Sequence, residues 1–177
     1  MNTPTDEIAL LNAYRDAELR GAELVLRLLS RIDDASLQEP LTRHLADEAQ
    51  HVWLWTERIR ALGGQLQHQD DGYYRALRRK AGLPTTALDL LALVSVIAGR
   101  LNQRYGAHAT RTDADPETLK ILREIHTAEA WYVAWLAEQL QQCAQREGAD
   151  TVAATLNQYR AWEAEAFAER ESGAGKK

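Results

Sequence analysis

HLADEAQHVWLWTERI, residues 44–59, is the stretch on which the reading of the chain turns. Leu45, Val52, Trp55 and Ile59 recur by seven, three and four, the stripe of an amphipathic helix, and Leu41 and Leu62 extend it at either end. Glu48 and His51 lie on the same stripe, between Leu45 and Val52, where the pattern calls for apolar side chains. Three residues apart on a helix, they share one face. A carboxylate can bridge two hard cations and an imidazole can terminate one, so the pair has the chemistry of a metal site. Glu-x-x-His also arises by chance on many helices, and its meaning depends on what surrounds it.

Two more acids break apolar stripes in the same way. Glu18 sits seven residues from both Leu11 and Val25, and Glu129 falls between Ile125 and Val133. Burying a lone carboxylate is expensive. Three on inward stripes share one economical explanation, a bound cation. The alternatives are a buried arginine partner, such as Arg20 or Arg100, or a position at the rim. Sliding the chain by 81 residues aligns Glu48 with Glu129, Ala49 with Ala130, Val52 with Val133 and Glu57 with Glu138. This weak repeat, centred on the acids, is consistent with two helical hairpins that each supply half a site.

Punctuation outside these stripes marks the helices. Thr3-Pro4, with Asp6 and Glu7, opens a first helix that ends near Asp33 and turns Ile8, Leu11, Val25, Leu28 and Ile32 inward. Ser36 to Glu39 has capping-box form, Pro40 follows in the first turn, and Gly63-Gly64 stops the second helix. Residues 64–86 form the longest connection, with a short helix in YYRALRRKAG and a break at Leu83-Pro84-Thr85. A third long helix spans about 86–109, with Leu90, Leu91, Val94, Ile97, Leu101 and Tyr105 inward. Asp115-Pro116-Glu117 opens a fourth, Gly148 breaks it, and a fifth covers roughly 151–170. Residues 1–170 read as a single domain and SGAGKK as a disordered tail.

Composition agrees. There are 29 Ala and 25 Leu against 6 Val and 6 Ile, which favours helix throughout and an all-α class. Hydrophobic residues make up 45% and charged residues 27%, which excludes disorder throughout, and no 18-residue window is free of charge, which excludes a membrane span. The lone Cys143 rules out an intrachain disulfide and a cysteine-rich metal site, and points to a cytoplasmic setting. A net charge of −5 gives no general drive toward nucleic acid. Arg75, Arg78, Arg79 and Lys80 read as a solvated amphipathic face rather than a contact for RNA or an anionic partner. Trp53 and Trp131 lean outward and mark a candidate homodimer face or the seat of the fifth helix.

Four long helices joined by short, long and short connections suggest a four-helix bundle with one crossover, the ferritin-like topology, plus a C-terminal helix. Residues 44–59 resemble the first Glu-x-x-His helix of the ferritin-like, rubrerythrin-related superfamily, residues 14–25 its first helix and residues 122–136 its last. The resemblance implies Glu18, Glu48, His51 and Glu129 as ligands of one or two iron or manganese ions, with oxygen or peroxide as the reactant, or a small-molecule substrate beside them. The chain departs from that pattern at two positions. Gly99 stands where a third-helix glutamate is expected, and Tyr132 where the second histidine is expected. Tyr132 is therefore read as a replacement ligand, a redox-active phenol or a packing residue. His126 and His44, each one turn from an acid, read as bundle-edge residues rather than ligands.

Two functions follow. One is an iron- or manganese-binding redox protein with an incomplete dinuclear site. The other is a metal-free helical scaffold or binding module that keeps the fold without the chemistry. Storage in a ferritin cage is a weaker third, because it needs a complete oxidation centre.

Overall fold

The computed structural model describes residues 4–174 apart from 70, 71 and 113. Among the described residues every regular element is an α-helix: α1 (Pro4–Leu29), α2 (Ala35–Ala61), α3 (Tyr73–Ala81), α4 (Ala87–Ala109), α5 (Pro116–Glu147) and α6 (Ala149–Ala174). The class is all-α, and the third, fourth and fifth helices expected from sequence are α4, α5 and α6. Among the described residues no helix is long and apolar enough to cross a membrane.

Most boundaries follow the punctuation. α2 ends in a Schellman motif: Gly63 takes φ +73°, its N–H bonds the Arg60 carbonyl, and the Gly64 N–H bonds that of Ile59. α4 opens on a reciprocal cap, with Asp89 N–H donating to Thr86 Oγ1 and Thr86 N–H to Asp89 Oδ2, each 3.0 Å. Asp115 Oδ1 accepts the N–H groups of Glu117 and Thr118 at the start of α5. Gly148, at φ +95°, separates α5 from α6.

Three boundaries differ from expectation. α1 stops at Leu29 rather than near Asp33. α2 begins at Ala35, with the Asp34 carbonyl taking the first two N–H bonds, so Pro40 falls in the second turn and forgoes one helical hydrogen bond. Gln38 Nε2 reaches back to the carbonyl of Leu29, the last residue of α1, and to that of Ile32; the expected capping box rests on the Ser36 side chain, which lies outside the described residues. α6 extends through residues 172–174, which sequence had assigned to the tail. Residues 175–177 and Thr3, the expected cap of α1, lie outside the described residues.

Contacts divide the chain into two units. The first holds Met1–Gln69 and Ala98–Tyr132, the second Asp70–Ile97 and Val133–Lys177. The core of the first unit gathers Leu11, Tyr14 and Ala17 of α1, Trp55 and Ile59 of α2, Leu101 and Tyr105 of α4, and Ile121, Leu122 and Ile125 of α5. Cross-contacts fix the sense of each helix there. Arg15 meets Thr56 and Glu18 meets His51, so α2 runs against α1. Tyr14 meets His108 and Glu18 meets Tyr105, so α4 also runs against α1. Arg58 meets Thr118 and His51 meets Glu129, so α5 runs against α2 and along α1. α2 and α4, consecutive among these four, thus point the same way. In the second unit α3 lies along α6, held by Tyr73 on Glu163, Arg79 on Glu169, and Lys80 on Glu165 and Glu169. Arg79 and Lys80, of the basic run read as a solvated face, are therefore engaged with α6.

Candidate metal centre

Glu18, Glu48, His51 and Glu129 all lie in the first unit, and the fold brings them together. Glu18 is 0% exposed, Glu129 1%, and Glu48 and His51 each 4%. His51 Nδ1 is 3.4 Å from Glu18 Oε2 and 3.4 Å from Glu129 Oε1, midway between acids on two other helices. Single atoms of Glu18, Glu48 and His51 lie within 4.8 Å of one another, a grouping that can hold a metal ion. A second group with the same property, His44, Glu48 and Glu129, shares Glu48 with the first.

Glu18 Oε2, Glu48 Oε2, His51 Nδ1 and Glu129 Oε1 have no hydrogen-bond partner among the described residues. An unsatisfied buried polar atom costs about 1–3 kcal/mol, and more when charged. Buried polar atoms in native proteins are nearly always satisfied, and an ion is one of the standard exceptions. Arg20, one of the arginines considered as a partner from sequence, pairs instead with exposed Glu23, at 3.2 Å.

Charge follows the geometry. Burial pushes Glu18 up, but the neighbouring His51, with Glu48 and Tyr105, holds it below its ordinary value of 4.5. Burial and then the Glu18 charge drive Glu48 well above its ordinary value of 4.5. Burial also raises Glu129, against the pull of His51. For His51, burial is outweighed by Glu129 and Glu18, and its pKa is pushed up to about 10. His44 goes the other way: burial, then the His51 charge, bring it down to about 3, so its imidazole is neutral. Without metal, His51 thus carries a proton, and Glu48 is shifted toward its protonated form.

Three features of the centre were missed from sequence. His44 was read as an edge residue, yet it is 2% exposed, with Nε2 3.2 Å from Glu48 Oε1. Its four-residue spacing from Glu48 was the available signal. Tyr105, read only as core, donates its hydroxyl to Glu18 Oε1, so α4 supplies a donor to the cluster. Gly21 is one turn beyond Glu18, and a Cβ there would come within 2.9 Å of Glu48 Oε2 and 2.8 Å of Cδ. Glycine at that point lets the Glu48 carboxylate lie against the α1 backbone.

Tyr132 is buried, and its ring stacks on that of His44 at 3.3 Å between centroids and 18° between planes. Gly99 is half-buried, and a Cβ on it would have nothing within 4 Å, so α4 leaves space at that position. His126 is outside both groups and packs against Gly106; His108 is buried against Tyr14; His68 is exposed and meets Asp16 at 3.2 Å. Trp53 and Trp131 are 50% and 48% exposed, as their outward lean suggested, with the Arg43 guanidinium over the Trp131 ring. No family model, curated protein or solved structure matches the chain, so the chemistry of this centre is argued from its own side chains.

Proposed function

We propose that the chain is a ferritin-like metalloprotein that binds iron or manganese through Glu18, Glu48, His51 and Glu129 and carries out redox chemistry with oxygen or peroxide. The observation that carries this reading is the convergence, from α1, α2 and α5, of four buried ligand atoms that have no hydrogen-bond partner among the described residues. The helix senses support it as well, because consecutive long helices that point the same way require a long crossover. So does the resemblance of residues 44–59 to the Glu-x-x-His helix of that superfamily.

Each side chain has a definite part. Glu18, ionised and fixed through Oε1 by Tyr105, offers Oε2. His51 and Glu48 give up protons on binding, so binding tightens as pH rises. Three carboxylates hold hard cations, and the imidazole biases the set toward iron or manganese over magnesium or calcium. A redox metal held there supplies the electrons for reduction of oxygen or peroxide. The core side chains of the first unit keep bulk water away.

Loading metal-free protein with iron(II) under anaerobic conditions and then admitting oxygen tests this function. Bound iron should oxidise several-fold faster in wild type than in Glu48→Ala, at unchanged circular dichroism. Equal rates would refute the redox role.

One observation favours the metal-free scaffold as a second reading. The protonated imidazole of His51, centred between Glu18 and Glu129, can itself serve as the buried cation. In that case a chelator leaves the melting temperature unchanged, whereas loss of a bound metal lowers it.

A further inference from the structure

If the proposed function holds, the site has a further ligand that its resemblance to other proteins does not supply. Tyr132 occupies the place where a second histidine is expected, so by that pattern the centre has one imidazole. The structure contains another. His44 lies four residues before Glu48 on α2, on the same face, and is almost completely buried. Its Nε2 is 3.2 Å from Glu48 Oε1, while Glu48 Oε2 has no hydrogen-bond partner among the described residues.

Glu129 closes the arrangement. Its Oε1 is also without a hydrogen bond, and the side chain is 1% exposed. The ligand atoms of His44, Glu48 and Glu129 lie within 4.8 Å of one another. Metal–nitrogen and metal–oxygen bonds of about 2.0–2.2 Å put the ligands of one ion at most about twice that distance apart, so small movements suffice to close the set. Glu48 belongs to both groups and has two oxygens to share between them.

We propose that His44, Glu48 and Glu129 form a second metal position, with Glu48 bridging it to an ion on Glu18 and His51. His44 thus stands in for the missing histidine from the same helix as His51, rather than from α5. Tyr132 stacks flat on the His44 ring and covers one face of it. Three carboxylates and two imidazoles leave two divalent ions with one surplus positive charge, which a hydroxide or an anionic substrate group can neutralise.

The test is manganese(II) added to the metal-free full-length chain, with metal counted by mass spectrometry and coupling read by electron paramagnetic resonance. Wild type should bind two ions and give the signal of an exchange-coupled pair. His44→Ala and His44→Gln should bind one ion and give an uncoupled signal, and added imidazole should restore the second ion to His44→Ala. One ion in wild type overturns the proposal and leaves the metal-binding reading intact. So do two ions retained in both His44 variants. No ion in wild type defeats that reading and this proposal together. Because wild type alone decides the count, a variant that failed to fold would not shelter the idea.

Discussion

Glu48 is the residue on which the centre hangs, because it is shared by both groups that could hold a metal ion, lies against Gly21, and is shifted toward its protonated form. Gly21→Ala should therefore act through Glu48. The new methyl overlaps the carboxylate, and displacing a ligand in this way should weaken metal binding ~10–100-fold, the size typical of changes in the shell supporting a metal ligand. Isothermal titration with manganese(II) would measure it, and unchanged affinity would show that Glu48 does not bind metal from this position. Protonation gives a second expectation, for the chelated protein. His51 keeps its proton to about pH 10 when folded but releases it near 6.5 when unfolded, so the stability it contributes is fully present below 6.5 and is lost as pH climbs toward 10. Glu48 acts in the same direction, since it keeps its proton above the unfolded value of 4.5. His44, at about 3 when folded, is neutral in both states above 6.5 and drops out of this window. The melting temperature of chelated protein should accordingly fall between pH 6.5 and 10, and the stabilisation by added metal should grow; a flat profile in the chelated protein would mean that His51 is not protonated between its two acids. Glu18, Glu48, His51 and Glu129 were legible in the sequence because a charge on an apolar stripe is conspicuous. His44, Tyr105 and Gly21 were not, because a histidine, a tyrosine and a glycine are unremarkable on a helix until a neighbouring helix shows what they touch.

Among the helices, local chemistry set most of the boundaries, and the exceptions are places where one element serves another. Gly63 ends α2 in the left-handed region, which side chains with a Cβ adopt at a cost, so Gly63→Ala should destabilise the fold by about 1 kcal/mol. Asp115→Ala removes the acceptor for two N–H groups at the start of α5 and also the partner of Arg58, 2.6 Å away, and should cost ~1–2 kcal/mol. Urea denaturation of the two variants checks both figures, and wild-type midpoints would show that these ends are fixed by packing instead. α2 was the harder case. The sequence reading starts the helix at Ser36, but it begins one residue earlier, and Gln38 reaches back to the Leu29 carbonyl at the end of α1. The pairing of a side chain with another helix's end leaves no periodic trace. The long connection after Gly64 and the short helix within it were legible, because Gly72 and Gly82 flank an amphipathic run.

For the molecule as a whole, the all-α class and the inward stripes of α4 and α5 were readable from composition and periodicity, and Leu90, Leu91, Leu101, Leu122 and Ile125 are all buried. The senses of the helices in the first unit come from contacts such as Arg15 with Thr56 and Arg58 with Thr118. What periodicity could not provide was the number of imidazoles at the centre, since that depends on which turns of α2 and α5 face each other. The central claim is that this buried cluster exists to hold metal. Its most direct test is metal per chain, measured by mass spectrometry on protein purified from iron- and manganese-supplemented cells, beside Glu48→Ala prepared in the same way. The account predicts iron or manganese in near-integral amount in wild type and little or none in the folded variant. Wild type as empty as the variant, or a variant as full as wild type, would contradict it.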